Sequence, residues 1–180
     1  MKVAKTRVIR GNTYKQFLIK KWKEIRAGEI IKVYENQYFP CDMVLINSSA
    51  DKGVCYVETK NLDGETNLKH KKAIKECFSI SNNENDIIEN FQDAEIECEK
   101  ENEYIYKFNG KIKLNHKQYG LSEEQILLRG SSLRNTKWVY AIAVYTGHDT
   151  KVMMNSSKSK QKQSKIEKAT NRYLVMGIII

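Results

Sequence analysis

YVETKNLDGETNLK, residues 56–69, opens as a β-strand and then sets Asp63, Gly64, Glu65 and Thr66 in consecutive positions. Glycine accepts backbone conformations that other residues resist, so Gly64 allows a tight turn and places Glu65 at the tip of a loop. These residues alone leave two readings open. One is a surface turn between strands. The other is a working loop, whose carboxylate orients a water molecule or takes its proton once an electrophile is brought to it.

Working outward from this stretch, the chain is punctuated as short strands. Residues 8–31 read as short β segments, with Phe17, Leu18 and Ile19 apolar and Trp22 and Ile25 at helical or turn-like spacing. Ile30, Ile31 and Val33 in RAGEIIKV give β-branched strand character after Gly28. FPCDMVLI places Pro40 before an apolar run, where a proline favours a strand start. VCYVET, EQILLRG and KWVYAIAVYTG supply further strands, and Trp138 with its neighbours reads as core. In YIYKFNGKIKL, Asn109-Gly110 predicts a two-residue hairpin turn, because both central positions of a type I′ turn need positive φ. Short strands with turns between them predict a mainly β fold, an antiparallel domain of sandwich or jelly-roll type. It spans residues 1–153, with an acidic, partly helical or irregular insertion at about 73–103.

A chain of 180 residues suffices for one such domain. With 41% hydrophobic and 29% charged residues and a single proline, it is globular rather than disordered. The net charge is +9, but residues 84–103 hold nine acids and one lysine, a local −8, so the rest carries +17. That balance suits a polyanionic partner. The interleaved basic and aromatic pattern of a nucleic-acid reader is missing, and no nucleic acid is expected.

Cys41, Cys55, Cys77 and Cys98 form no CxxC and show no zinc spacing, so they read as reduced cysteines. His70, His116 and His148 stand apart in sequence and read as solvated or satisfied. No P-loop, GxGxxG or GxSxG occurs. Residues 1–11 lack the apolar core of a signal peptide. Residues 154–172 read as a basic Ser/Lys/Gln linker. YLVMGIII, residues 173–180, is too short to span a bilayer, which takes about 20 residues. It reads as a last core strand or as the start of a truncated transmembrane helix. The Lys and Arg before it favour the membrane, with the linker on the cytosolic side.

FPCDMVLI, YVETKNLDGETNLK, ILLRGSSLRNT and YTGHDTKVMMN occur in this order, and together they resemble the actuator domain of P4-type ATPases, the phospholipid flippases. The resemblance runs from about Trp22 to Met176. Other P-type pumps typically carry TGES where this chain has DGET. Departures from the family pattern are Cys41 and Ala141, where it often has Ala and Gly, and the lack of a proline before the YKFNG segment.

The resemblance implies an ATP-driven translocase in which a separate domain is phosphorylated on an aspartate. The actuator domain then rotates to deliver the DGET loop. Glu65 would activate the water that hydrolyses the aspartyl phosphate. Asp63, Gly64 and Thr66 would shape the loop and contact the phosphate region, with Gly64 permitting close backbone approach. The implied partners are the phosphorylation and nucleotide-binding domains of the same chain, membrane helices and a phospholipid substrate, with room for an accessory glycoprotein subunit. The location is the cytosolic face of a membrane. This chain is expected to hold no cofactor or metal of its own, since ATP and Mg2+ belong to the full-length protein, and to be inactive in isolation. Residues 165–172 would be the strap to a membrane helix. Arg129 and Arg134, flanking GSSL, read as contacts to neighbouring domains or as solvated surface. Two alternatives remain: a non-catalytic basic module on anionic membrane surfaces, or a regulatory ATPase-like module of a larger fusion protein.

Overall fold

DMVLINS and WVYAIAVY, each built on an apolar run, pair with each other inside the largest sheet. A computed structural model gives the structure over residues 6–9, 18–80, 83–91 and 93–159. In chain order its elements are β1 (Thr6–Ile9), β2 (Leu18–Lys20), β3 (Ile30–Tyr34), β4 (Asp42–Ser48), β5 (Val54–Glu58), the one-turn α1 (Lys60–Asp63), β6 (Lys69–Lys72), α2 (Lys75–Phe78), α3 (Glu84–Phe91), β7 (Glu95–Cys98), β8 (Gly110–Leu114), β9 (Lys117–Leu121), β10 (Ile126–Leu127), β11 (Ser132–Arg134), β12 (Trp138–Tyr145) and α4 (Lys151–Ser159). A six-stranded sheet in the order β10-β4-β12-β3-β1-β2 is joined by two three-stranded sheets, β11-β5-β6 and β7-β8-β9. The named pairings are antiparallel. The fold is the mainly β, antiparallel sandwich read from the sequence.

Side chains alternate across a strand, so β4 sends neighbours to opposite faces. Met43 and Leu45 join Phe39, Cys55, Val57 and Leu133 in one buried cluster. Val44 and Ile46 join Ile87, Phe91, Phe108 and Ile112 in another. Both faces are covered, which is why the runs in β4 and β12 are continuous rather than alternating.

The acidic insertion supplies part of the second cover. Ile87, Ile88 and Phe91 of α3 are buried at helical spacing, while Glu89 is exposed and Glu84 pairs with Lys32 of β3. Eight residues show little of this periodicity, so the sequence reads the segment only as partly helical or irregular, without placing the helix.

The hairpin expected at Asn109-Gly110 is not formed. Residues 104–108 make no strand, and β8 begins at Gly110. Phe108 is buried in the core, edge-on to Tyr145 with ring centres 6.4 Å apart. This packing draws the preceding segment away from a pairing with β8. The two-residue turn lies instead at Asn115-His116, with φ 47° and 65°, between Leu114 and its partner Lys117. Gly110 serves another purpose: a Cβ there would sit 2.9 Å from the Glu97 carbonyl of β7.

Helix α4 starts on a buried anchor. Asp42 accepts the backbone N–H of Lys151 at 2.7 Å and that of Arg129 at 2.8 Å. The helix includes residues 154–159, the first part of the segment read as a linker. The rest of that segment and the apolar run 173–180 lie outside the described residues. No helix among the described residues is long and apolar enough to cross a membrane. Cys41, Cys55 and Cys77 are buried and Cys98 is exposed; none forms a disulfide.

Candidate functional site

β5 buries Cys55 and Val57 in the core, and the chain turns at its end into α1. Thr59 makes that turn. Its carbonyl accepts the N–H of Leu62 at 2.7 Å and of Asp63 at 3.2 Å, and its hydroxyl donates to Asp63 at 3.1 Å. The helix lasts one turn because Gly64 takes the left-handed conformation, φ 76°, and returns its N–H to the Lys60 carbonyl at 3.0 Å. A Cβ at Gly64 would meet nothing within 4 Å. Within this domain the demand for glycine is therefore conformational, not one of space.

Asp63 lies behind the loop tip as a hub. Its carboxylate accepts from Thr59, from the Glu65 N–H at 3.0 Å, from Lys69 Nζ at 2.7 Å, and from the Tyr106 hydroxyl. Burial pushes this carboxyl up, but donation from Lys69, Tyr106, the Glu65 amide and Thr59 outweighs it and holds Asp63 well below the usual carboxylate range. Burial lowers Lys69 in turn, while Asp63, Glu65 and Tyr106 raise it above the ordinary lysine range.

Glu65 stands in front of this hub. Its side chain is 46% exposed, against 18% for Asp63, and its Oε2 lies 2.9 Å from Lys69 Nζ. Thr66 follows it and is exposed. Of the residues singled out in the sequence, Asp63 and Glu65 are thus brought together through one lysine, Gly64 sets the turn between them, and Thr66 sits on the outer side.

Three contributors are not singled out by the sequence. Thr59 and Lys69 both lie in or beside the opening stretch, and Lys69 stands four residues after Glu65, a spacing that signals ion pairs only on helices. Tyr106 comes from the segment between the acidic insertion and β8, and no local pattern connects it to the loop. Arg134 pairs with Glu58 of β5 at 2.9 Å and with Asn36, while Arg129 donates to the Gly147 carbonyl at 2.7 Å. Both arginines therefore have partners inside the domain. Among the described residues, no group of three or more His, Cys, Asp or Glu is placed to hold a metal ion.

Residues 1–171 match the family model described as the P-type ATPase actuator domain. Among curated proteins, the chain is 48% identical over 149 residues to "Probable phospholipid-transporting ATPase 7" of Arabidopsis thaliana, covering 83% of this chain and 12% of that protein. It is 44% identical over 178 residues to "Probable phospholipid-transporting ATPase 12" of the same plant, covering 98% of this chain and 14% of that protein. A phospholipid-transporting ATPase of Schizosaccharomyces pombe is 40% identical over 167 residues, covering 91% and 13%. The chain thus spans 12–14% of the length of these relatives. A solved zinc-transporting PIB-type ATPase in the E2.Pi state is similar with a TM-score of 0.49 and 8% identity, over 89% of this chain and 18% of that one, too distant a likeness to add to the assignment. The match over residues 1–171, on an antiparallel β domain that presents a DGET loop, shows that the chain belongs to the P-type ATPase actuator domain family.

Proposed function

We propose that the chain is the actuator domain of an ATP-driven, phospholipid-translocating P-type ATPase, and that Glu65 hydrolyses its aspartyl phosphate. The observation that carries this reading is the loop itself. Asp63 is committed to four donors within the domain, whereas Glu65 is half exposed at the tip. A carboxylate held outward on a fixed turn is suited to an electrophile on another body.

The phosphorylation domain of the same chain would bring that electrophile. Glu65 orients a water molecule in line with the phosphorus and takes up its proton as the new P–O bond forms. The bond from phosphorus to the aspartyl oxygen breaks, leaving a carboxylate and inorganic phosphate. Asp63 and Gly64 hold the geometry, and Thr66 lies where it meets the phosphate region. Positioning is the main contribution a protein makes to such a transfer. ATP and Mg2+ would be held by the phosphorylation and nucleotide-binding domains.

The names of the relatives support phospholipid as the transported substrate. On this reading the domain works at the cytosolic face of a membrane. Its rotation pulls on membrane helices through the segment after α4, a hinge-type coupling. The test is ATP hydrolysis by the full-length ATPase in vesicles. Phospholipid should stimulate it, and Glu65→Gln should abolish turnover while leaving phosphorylation by ATP intact. Stimulation by a metal cation with no response to phospholipid would overturn the substrate class.

A further inference from the structure

We infer that Lys69 and Tyr106 are positioning residues for Glu65, so that the segment between β7 and β8 contributes a brace to the hydrolytic loop. This rests on the reading of Glu65 as the water-activating carboxylate.

The backbone of Glu65 is oriented through Asp63, whose Oδ1 accepts the Glu65 N–H at 3.0 Å. Asp63 is fixed in turn by Thr59 from its own turn, by Lys69 from β6, and by Tyr106 from 43 residues further along. Lys69 does two things at once. Its ammonium lies 2.7 Å from Asp63 and 2.9 Å from Glu65, so one cation is shared by two carboxylates that would otherwise repel.

Tyr106 supports both partners. Its hydroxyl donates to Asp63, and its ring lies 4.4 Å from Lys69 Nζ, within range of a cation–π contact. The segment that carries Tyr106 is pinned on either side. At one end the Tyr145 hydroxyl donates to the Glu99 carbonyl at 2.6 Å. The buried Lys151 reaches the Glu99 carboxylate at 3.0 Å and Asn102 at 2.7 Å. At the other end Phe108 is sunk in the core. Tyr106 is half exposed, yet its hydroxyl ends on a charged acceptor, a bond about twice as strong as a neutral one.

The test is single-turnover decay of the phosphoenzyme in the full-length ATPase, compared with its formation from ATP. Tyr106→Phe removes one oxygen from a half-exposed side chain and leaves the packing alone. It should slow decay about tenfold, the worth of one charge-assisted hydrogen bond. Lys69→Met should slow it about a hundredfold, as expected when a reacting group is misplaced. Lys69→Arg, which keeps the cation, should recover most of that loss. Formation should stay within about twofold of the wild type in all three, since only the hydrolytic step depends on Glu65. Normal decay in Tyr106→Phe and Lys69→Met, alongside a trapped phosphoenzyme in Glu65→Gln, would overturn the positioning role and spare the role of Glu65. Formation and decay falling together, with arginine no better than methionine at position 69, would also overturn it by showing a merely structural effect. Normal decay in Glu65→Gln would remove Glu65 from the reaction, and this inference with it.

Discussion

Asp42 Oδ2 accepts the backbone N–H of Lys151 at 2.7 Å, tying the start of α4 to β4 across 109 residues of sequence. The Asp42 carboxyl is fully buried, and burial pushes it up to about 6, against the pull of the Arg129 and Lys151 amides. In the unfolded chain it returns to the ordinary aspartate range near 4. Above pH 6 the group is ionised in both states. Between pH 6 and 4 the folded protein binds its proton and the unfolded chain does not, so acidification through this window adds stability from this group, on the order of 2–3 kcal/mol. Asp42→Asn cannot titrate. The stability of the wild type relative to Asp42→Asn should therefore rise as the pH falls from 7 to 4 in denaturant titrations. A difference that stays constant, or falls, would contradict this.

Lys151 has no exposed side-chain surface and holds Glu99 and Asn102 from the first turn of α4. Lys151→Met keeps the length but leaves those groups without their cation. Because Glu99 is 27% exposed, water compensates in part, and the expected loss is about 1–3 kcal/mol rather than that of a fully buried pair. Amide exchange should accelerate in residues 99–106 more than in β4. Uniform exchange across both would show that Lys151 does not anchor the segment.

His116 sits at φ 65° in the β8–β9 turn, where a side chain is strained and glycine is not. His116→Gly should raise stability by about 0.5–1 kcal/mol in urea unfolding. A loss of stability would mean that the imidazole contributes more than its backbone strain takes away.

Gly64 has room for a methyl group but not the conformation: φ is 76°, and a Cβ there would meet nothing within 4 Å. Gly64→Ala should lower stability by about 1 kcal/mol through left-handed strain. It should slow phosphoenzyme decay by more than that small loss suggests, because the strain falls between Asp63 and Glu65. Decay at the wild-type rate would show that the loop tolerates a different turn.

Much of this architecture is legible in the sequence. The strands β4, β5 and β12 follow from apolar runs, and the DGET loop follows from Gly64 beside two acids. The β8–β9 turn is misplaced in a sequence reading because Asn109-Gly110 carries the better local signal, while the burial of Phe108 is decided by tertiary packing. The same limit hides Tyr106. Its bond to Asp63 spans 43 residues and depends on anchors at Glu99 and Phe108 that no local pattern reveals. Lys69 is in plain view, but its two carboxylate partners become neighbours only once Gly64 turns the chain.

The most direct measurement of the central claim is the lifetime of the phosphoenzyme in the full-length ATPase carrying Glu65→Gln. The protein is labelled with radioactive ATP, chased with unlabelled ATP, and followed as acid-stable phosphoprotein. The amide keeps the shape of the side chain but cannot take a proton from water, so the label should form normally and decay at least about a hundredfold more slowly than in the wild type. Decay at the wild-type rate would contradict the account.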